Sequence, residues 1–253
     1  MRQGRYSIRF ATGEADLMRA QSLRWRCFLA RSHGDAESAA ALDCDSHDAI
    51  CRHVLIEEAR TGALVGCFRI LPLSCGAEIT RSYSAQYYNL ASLQAYQGKL
   101  VELGRFCIHP DHRDPDILRL AWAMLADYVE AEGVGLLFGC SSFIGTEPEA
   151  YADAFAMLRE RHLAPKRWLP RVKAPQVFRF ARALRLGRPD PQKAMAAMPP
   201  LLRSYLAMGG WVSDHAVVDR QMNTLHVFTG LEVSAIPAPR RRFLRAGSLA
   251  EPT

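Results

Sequence analysis

The sequence predicts an α/β fold, and three observations carry that expectation. Apolar residues recur at alternating spacing in some stretches and at helical spacing in others, in the order strand, helix, three strands, helix, strand, helix. The 253 residues are 49% hydrophobic and 23% charged, which suits one large domain with a sizeable core. Residues 100–108 set a carboxylate, Glu102, and a guanidinium, Arg105, inside an otherwise apolar strand that runs into Pro110, a polar loop and a helical pattern.

Taken in order, residues 6–11 alternate like a short strand, and residues 14–30 place Leu17, Met18, Leu23 and Phe28 at roughly helical spacing. Asp43, Asp45 and Asp48 form an acidic stretch ahead of residues 53–58, which Thr61-Gly62 joins to residues 64–73; these two apolar runs read as a hairpin. Residues 74–98, rich in Ser, Tyr, Ala and Gln, interrupt before the strand that holds Glu102. A helix over residues 117–131 follows, closed by Gly133. Residues 134–140 have strand character, and residues 147–162 are helical with Tyr151, Phe155 and Leu158 on one side. Prolines and basic residues then crowd residues 163–200 into an irregular, cationic insertion, after which 201–208 read as a helix and 226–233 as a strand. A single domain over residues 1–236, this insertion included, and a flexible tail over 237–253 are expected.

A net charge of +6 favours an acidic partner: an acidic protein, a phosphorylated group or an anionic membrane surface. Aromatic residues are not interleaved with the basic run and no nucleic-acid motif is present, so nucleic acid is not expected as a partner. Seven cysteines without a Cys-x-x-Cys pair read as reduced thiols of a cytoplasmic protein. No apolar run approaches the roughly 20 residues of a membrane span, and the start of the chain lacks the apolar core of a signal peptide.

Strict alternation along residues 100–108 sends Glu102, Gly104 and Phe106 to one face and Arg105 to the other. Buried charges need a partner or a task, so both a structural ion pair and catalysis stand open for Glu102 and Arg105. Asp45 and Asp48 suit either a cationic ligand or the ordering of their own loop, and Arg24 is placed to pair with them. Ser141 and Ser142 end a strand as candidate hydroxyl donors, and Tyr151 is a candidate acid or, at its helical spacing with Phe155, a core residue. His109, Asp111 and His112, like Asp214, His215 and Asp219, lack a dedicated ligand spacing, so loop and packing roles are expected and a metal is not.

The element order, with a strand ending in Arg105-Phe106-x-x-x-Pro110 before a helix, resembles the GCN5-related N-acyltransferase superfamily. That resemblance implies a central mixed, twisted sheet flanked by helices, here with a C-terminal extension, and a strand–loop–helix junction that grips a pantetheine phosphate. The segment from Arg113 to Leu118 has no glycine, as in the branch that takes acyl groups from acyl carrier protein. The acyl-homoserine-lactone synthases of that branch are matched at Arg24, Phe28, Asp45, Asp48, Arg69, Glu102, Arg105 and Phe106. Over residues 8–236 the chain is more similar to the ornithine N-acyltransferases, through Glu102 to Pro110, Asp114 to Leu118, Leu137 to Phe143, Trp211 to Asp219 and Asn223 to Phe228.

This second resemblance implies transfer of a 3-hydroxyacyl chain from acyl carrier protein to the α-amino group of L-ornithine, giving lyso-ornithine lipid. No cofactor would be bound beyond the donor's phosphopantetheine. Glu102 and Arg105 would be catalytic, with Glu102 as the base. Arg24, Phe28, Asp45, Asp48, Arg69, Phe106, Ser141 and Ser142 would meet substrate, and Ile108, Arg113 and Arg119 the phosphopantetheine and its carrier. Peripheral contact with the anionic inner membrane would suit both charge and product. Two alternatives are a homoserine-lactone signal synthase, opposed by the long region after Leu163, and a basic lipid- or nucleic-acid-binding protein.

Overall fold

A computed structural model describes residues 1–30 and 41–240, so the expected tail lies outside the described residues from 241 onward. In chain order, β1 (Arg2–Gln3) and β2 (Tyr6–Phe10) lead to α1 (Gly13–Phe28), a 3₁₀ turn at Ser46–Ala49, β3 (Arg52–Glu58) and β4 (Leu64–Leu73). Next come α2 (Ser84–Tyr87), β5 (Tyr88–Asn89), β6 (Lys99–Ile108), α3 (Pro115–Glu132), β7 (Val134–Ile144) and α4 (Ala152–Arg161). The remainder holds β8 (Arg171–Val172), β9 (Val177–Phe178), α5 (Phe180–Ala183), α6 (Pro191–Ala197), α7 (Pro200–Ala207), β10 (Trp211–Asp219) and β11 (Thr224–Glu232). The described residues divide into two compact units, 1–30 and 41–72 with 103–134 and 238–240, and 73–102 with 135–237.

In the first unit β1, β2, β3 and β4 follow one another as antiparallel neighbours, with β6 next in order after β4. Gly62, at φ 72, supplies the left-handed residue of the β3–β4 hairpin expected from Thr61-Gly62. On one helix face Ala20 and Leu23 of α1 close over Leu55, Cys67 and Cys107, with Phe28 packed alongside. Gly133, at φ 66, ends α3 in the left-handed conformation foreseen for it.

In the second unit β7, β11, β10 and β9 are consecutive antiparallel neighbours. Their core joins Phe143, Phe155, Phe180, Met198, Leu202 and Val212, so the region read as an irregular insertion contributes two strands, two helices and buried side chains. Its apolar anchors are sparse and separated by prolines and arginines, which hides them from any periodicity count. β10 escaped notice for a related reason: Ser213, His215 and Asp219 are polar yet buried within it.

Gly230 of β11 sits opposite Trp211, and a Cβ there would lie 2.3 Å from the indole ring. Gly230→Ala is therefore expected to cost about 1–3 kcal/mol of stability, measured by urea denaturation, as overpacking in a rigid core does.

His226 of β11 is buried, and its carbonyl accepts a 2.7 Å hydrogen bond from Tyr88 Oη. Burial pushes its imidazole down to about 4, with the Asp219 charge opposing. An unfolded histidine titrates near 6.5, so between these values the unfolded chain binds the extra proton and the fold loses stability as pH falls. A loss of about 3 kcal/mol between pH 6.5 and pH 4, removed by His226→Phe, is the expected result in a pH series of denaturation midpoints.

Candidate active site

In the first unit a buried network of three arginines and three aspartates ties α1, the 3₁₀ turn, β4 and β6 together. Arg24, one turn before the end of α1, is 1% exposed. Its Nη1 and Nη2 donate to the two oxygens of Asp48 at 2.8 and 2.9 Å, its Nε donates to Asp43 at 2.9 Å, and Nη2 also reaches the Asp43 carbonyl. Arg69 of β4 grips Asp45 with both Nη1 and Nη2, at 2.6 and 2.8 Å, and gives Nη1 to Asp48 at 2.7 Å. Arg105 pairs with Asp43 at 3.0 Å and Asp45 at 3.2 Å.

Local sequence explains why the aspartates gather there. Asp45 caps the 3₁₀ turn by accepting from His47 N at 2.9 Å, while Asp48 reaches back to Asp45 N, a capping box. Gln21, one turn before Arg24, donates to Asp48 at 2.9 Å. Burial favours the neutral carboxyl at Asp45 and Asp48, yet the facing guanidiniums outweigh it and hold both carboxyls below the usual range. Burial works equally against the charge of Arg24 and Arg69, and their aspartates again prevail.

These contacts bear on two expectations. Asp45 and Asp48 spend their oxygens on arginines and on their own turn, so of the two roles open to them the ordering of the loop is the one seen. Arg105, at φ 51, is a left-handed residue within β6, and its side chain meets the Asp43 and Asp45 that also meet Arg24 and Arg69, on the α1 side of the sheet where Cys107 packs, as alternation gives it. Phe106 stacks on Phe68 with centroids 5.6 Å apart, and Phe28 packs into the core beneath α1.

The junction before α3 is built around its own cap. Asp114 caps the helix, accepting from Asp116 N at 2.9 Å and from Tyr6 Oη at 3.1 Å. Arg119 is held by Asp116, and the Ile108 carbonyl accepts from Cys27 Sγ at 3.4 Å. Arg113 is exposed. His109 meets Arg26 at 2.8 Å, a loop contact.

Glu102 belongs to the second unit and is 4% exposed. Its carboxylate accepts from Tyr83 N at 2.8 Å, Ser84 N at 2.7 Å and Ser84 Oγ at 2.6 Å, at the start of α2. Three such donors fix the position of its two oxygens. Tyr205, its phenol pushed up by burial and then by the Glu102 charge, stays protonated nearby. Ser141 accepts from Thr229 Oγ1 at 2.9 Å, both buried, whereas Ser142 is exposed. Tyr151 gives its hydroxyl to the Ile144 carbonyl at 2.6 Å and packs on Phe143, which is the core role.

Sequence reasoning missed Asp43, Ser84 and Gln21 as members of these clusters. Asp43 left a signal as part of the acidic stretch with Asp45 and Asp48, and Gln21 as a polar residue three before Arg24 on an otherwise packed helix face; Ser84 left none.

The acetyltransferase (GNAT) domain family matches residues 23–123, a span that includes Arg24, all three aspartates, Arg69, Glu102 and Arg105. A protein of Rhodobacter capsulatus named L-ornithine N(alpha)-acyltransferase is 34% identical over 246 residues, covering 94% of each chain. The chain belongs to the L-ornithine N(alpha)-acyltransferase family. A relative of the same name from Agrobacterium fabrum is 32% identical over 93% of this chain and 83% of its own length. The acyl-homoserine-lactone synthase of that organism is 29% identical over only 45% of this chain and 59% of its own. This N-acyltransferase is thus an enzyme with the GNAT fold, a mixed sheet flanked by helices, and the lactone synthases are partial relatives. No helix among the described residues is long and apolar enough to cross a membrane.

Proposed function

We propose that the enzyme transfers a 3-hydroxyacyl chain from the phosphopantetheine thioester of acyl carrier protein to the α-amino group of L-ornithine, giving lyso-ornithine lipid. The observation that carries this reading is the likeness, over 94% of both chains, to a protein named for acylating ornithine at that nitrogen.

The thioester is already activated, so little chemistry is asked of the protein. The amine attacks the carbonyl carbon, the C–N bond forms, the C–S bond breaks, and the proton lost from nitrogen has to be taken up as the thiolate leaves. Glu102, held in place by Tyr83 and Ser84, takes that proton directly or through water. Beside the left-handed Arg105, peptide N–H groups near Phe106 would serve the developing oxyanion. The arginine–aspartate network positions the loop over residues 43–49.

A net charge of +6 and the exposed Arg113 suit the acidic carrier protein. Supplying the same 3-hydroxyacyl group on carrier protein and on coenzyme A tests that part. A kcat/KM higher by about 10²-fold for the carrier, falling as salt rises, is expected; equal values with no salt dependence would remove the carrier protein from the reading.

A further inference from the structure

The segment that runs from the start of α5 through the turn after it is strongly cationic. Arg179, Arg182, Arg185 and Arg188 recur at intervals of three and are all exposed. None of them takes part in a salt bridge among the described residues. The sole carboxylate of the stretch 179–190, Asp190, is spent on the cap of α6, where it accepts from Gln192 N and Lys193 N. Between the arginines Leu186 stands 86% exposed. A lone apolar side chain on a surface is ordinary. One ringed by unpaired arginines on a braced turn is not.

The bracing is visible in the contacts. Phe180 is fully buried and Leu184 packs against the same core, so the inward side of the turn is anchored. Arg159 of α4 donates to the carbonyls of Leu184 and Gly187, at 2.8 and 3.1 Å, and so fixes the backbone on either side of Leu186. The apolar tip therefore projects from a held turn, with its ordering cost met by the fold.

We propose that this turn is a membrane-docking element: the arginines sit at the level of anionic lipid phosphates and Leu186 enters the boundary of the acyl chains. The assignment rests on the proposed lipid product, which must leave water for a bilayer, and on charge complementarity. Arginine offers planar, two-point binding to phosphate oxygens, and each basic residue near an anionic surface strengthens binding about fivefold.

The test is flotation of the full chain with vesicles of phosphatidylcholine, alone or mixed with phosphatidylglycerol, together with emission of a Leu186→Trp variant. Flotation only with the anionic vesicles is expected, weakened about 25-fold by Arg182→Ser with Arg185→Ser. Leu186→Trp emission should shift to the blue and be quenched by brominated acyl chains. Binding equal in the double variant, or an indole that stays in water, would overturn the proposal. So would an indole that responds to acyl carrier protein and not to vesicles. Because vesicle binding needs neither donor nor ornithine, its failure is separate from any failure of the proposed reaction; aqueous acyl transfer by the double variant should stay within about twofold of the parent, the usual reach of surface changes.

Discussion

Asp48→Ala is expected to lower folding stability by about 3–5 kcal/mol, the scale on which one partner is removed from a buried ion-pair network. The loss is large because Asp48 faces two guanidiniums, Arg24 and Arg69, whose side chains are 1% and 3% exposed. With it gone, two positive charges stay in a low-dielectric interior and Gln21 loses its acceptor. A drop in the urea midpoint of more than about 1 M reads this out. A change under about 1 kcal/mol would mean that water screens the network as it screens surface pairs. The same contacts set the acid limb of stability. Asp45 and Asp48 have carboxyls lowered in the fold, so their contribution is complete above the ordinary carboxylate pKa near 4 and is lost as pH falls below it.

Glu102→Gln is the second large effect. As a lost general base it should lower kcat by about 10²-fold or more while leaving the KM for ornithine nearly unchanged. The substitution also disturbs the turn it anchors: a glutamine presents one NH₂ to a shell of donors, Tyr83 N, Ser84 N and Ser84 Oγ, at a cost of about 1–3 kcal/mol. Both effects must be measured on the same protein. A variant that stays folded at the assay temperature and loses activity supports the base; one that unfolds more readily but keeps its kcat makes Glu102 a strut for α2 and moves the base elsewhere.

Much of the fold was legible because many of its strands and helices carry clean periods. The β3–β4 hairpin announced itself through two apolar runs and Thr61-Gly62, and α3 through its spacing and Gly133. Strand β10 and the elements between residues 171 and 197 were not legible, since polar residues buried in a strand and apolar anchors set among prolines defeat a local pattern. The site divides in the same way. The charged residues of the network stood out as charges in apolar surroundings, and their pairing was one of the open readings. What no sequence period shows is the left-handed backbone at Arg105, φ 51, inside a strand. Nor does sequence reveal that Ser84 and the peptide groups beside it, 18 residues before Glu102, would clasp its carboxylate.

The central claim is the reaction itself, and mass spectrometry of the purified enzyme with 3-hydroxyacyl carrier protein tests it most directly, with L-ornithine in one tube and S-adenosylmethionine in another. The expected result is an N-acylated ornithine carrying one 3-hydroxyacyl chain, and no product from S-adenosylmethionine. An acylated lactone from S-adenosylmethionine, with ornithine untouched, would contradict the account and place the chain with the signal synthases it resembles over less than half its length.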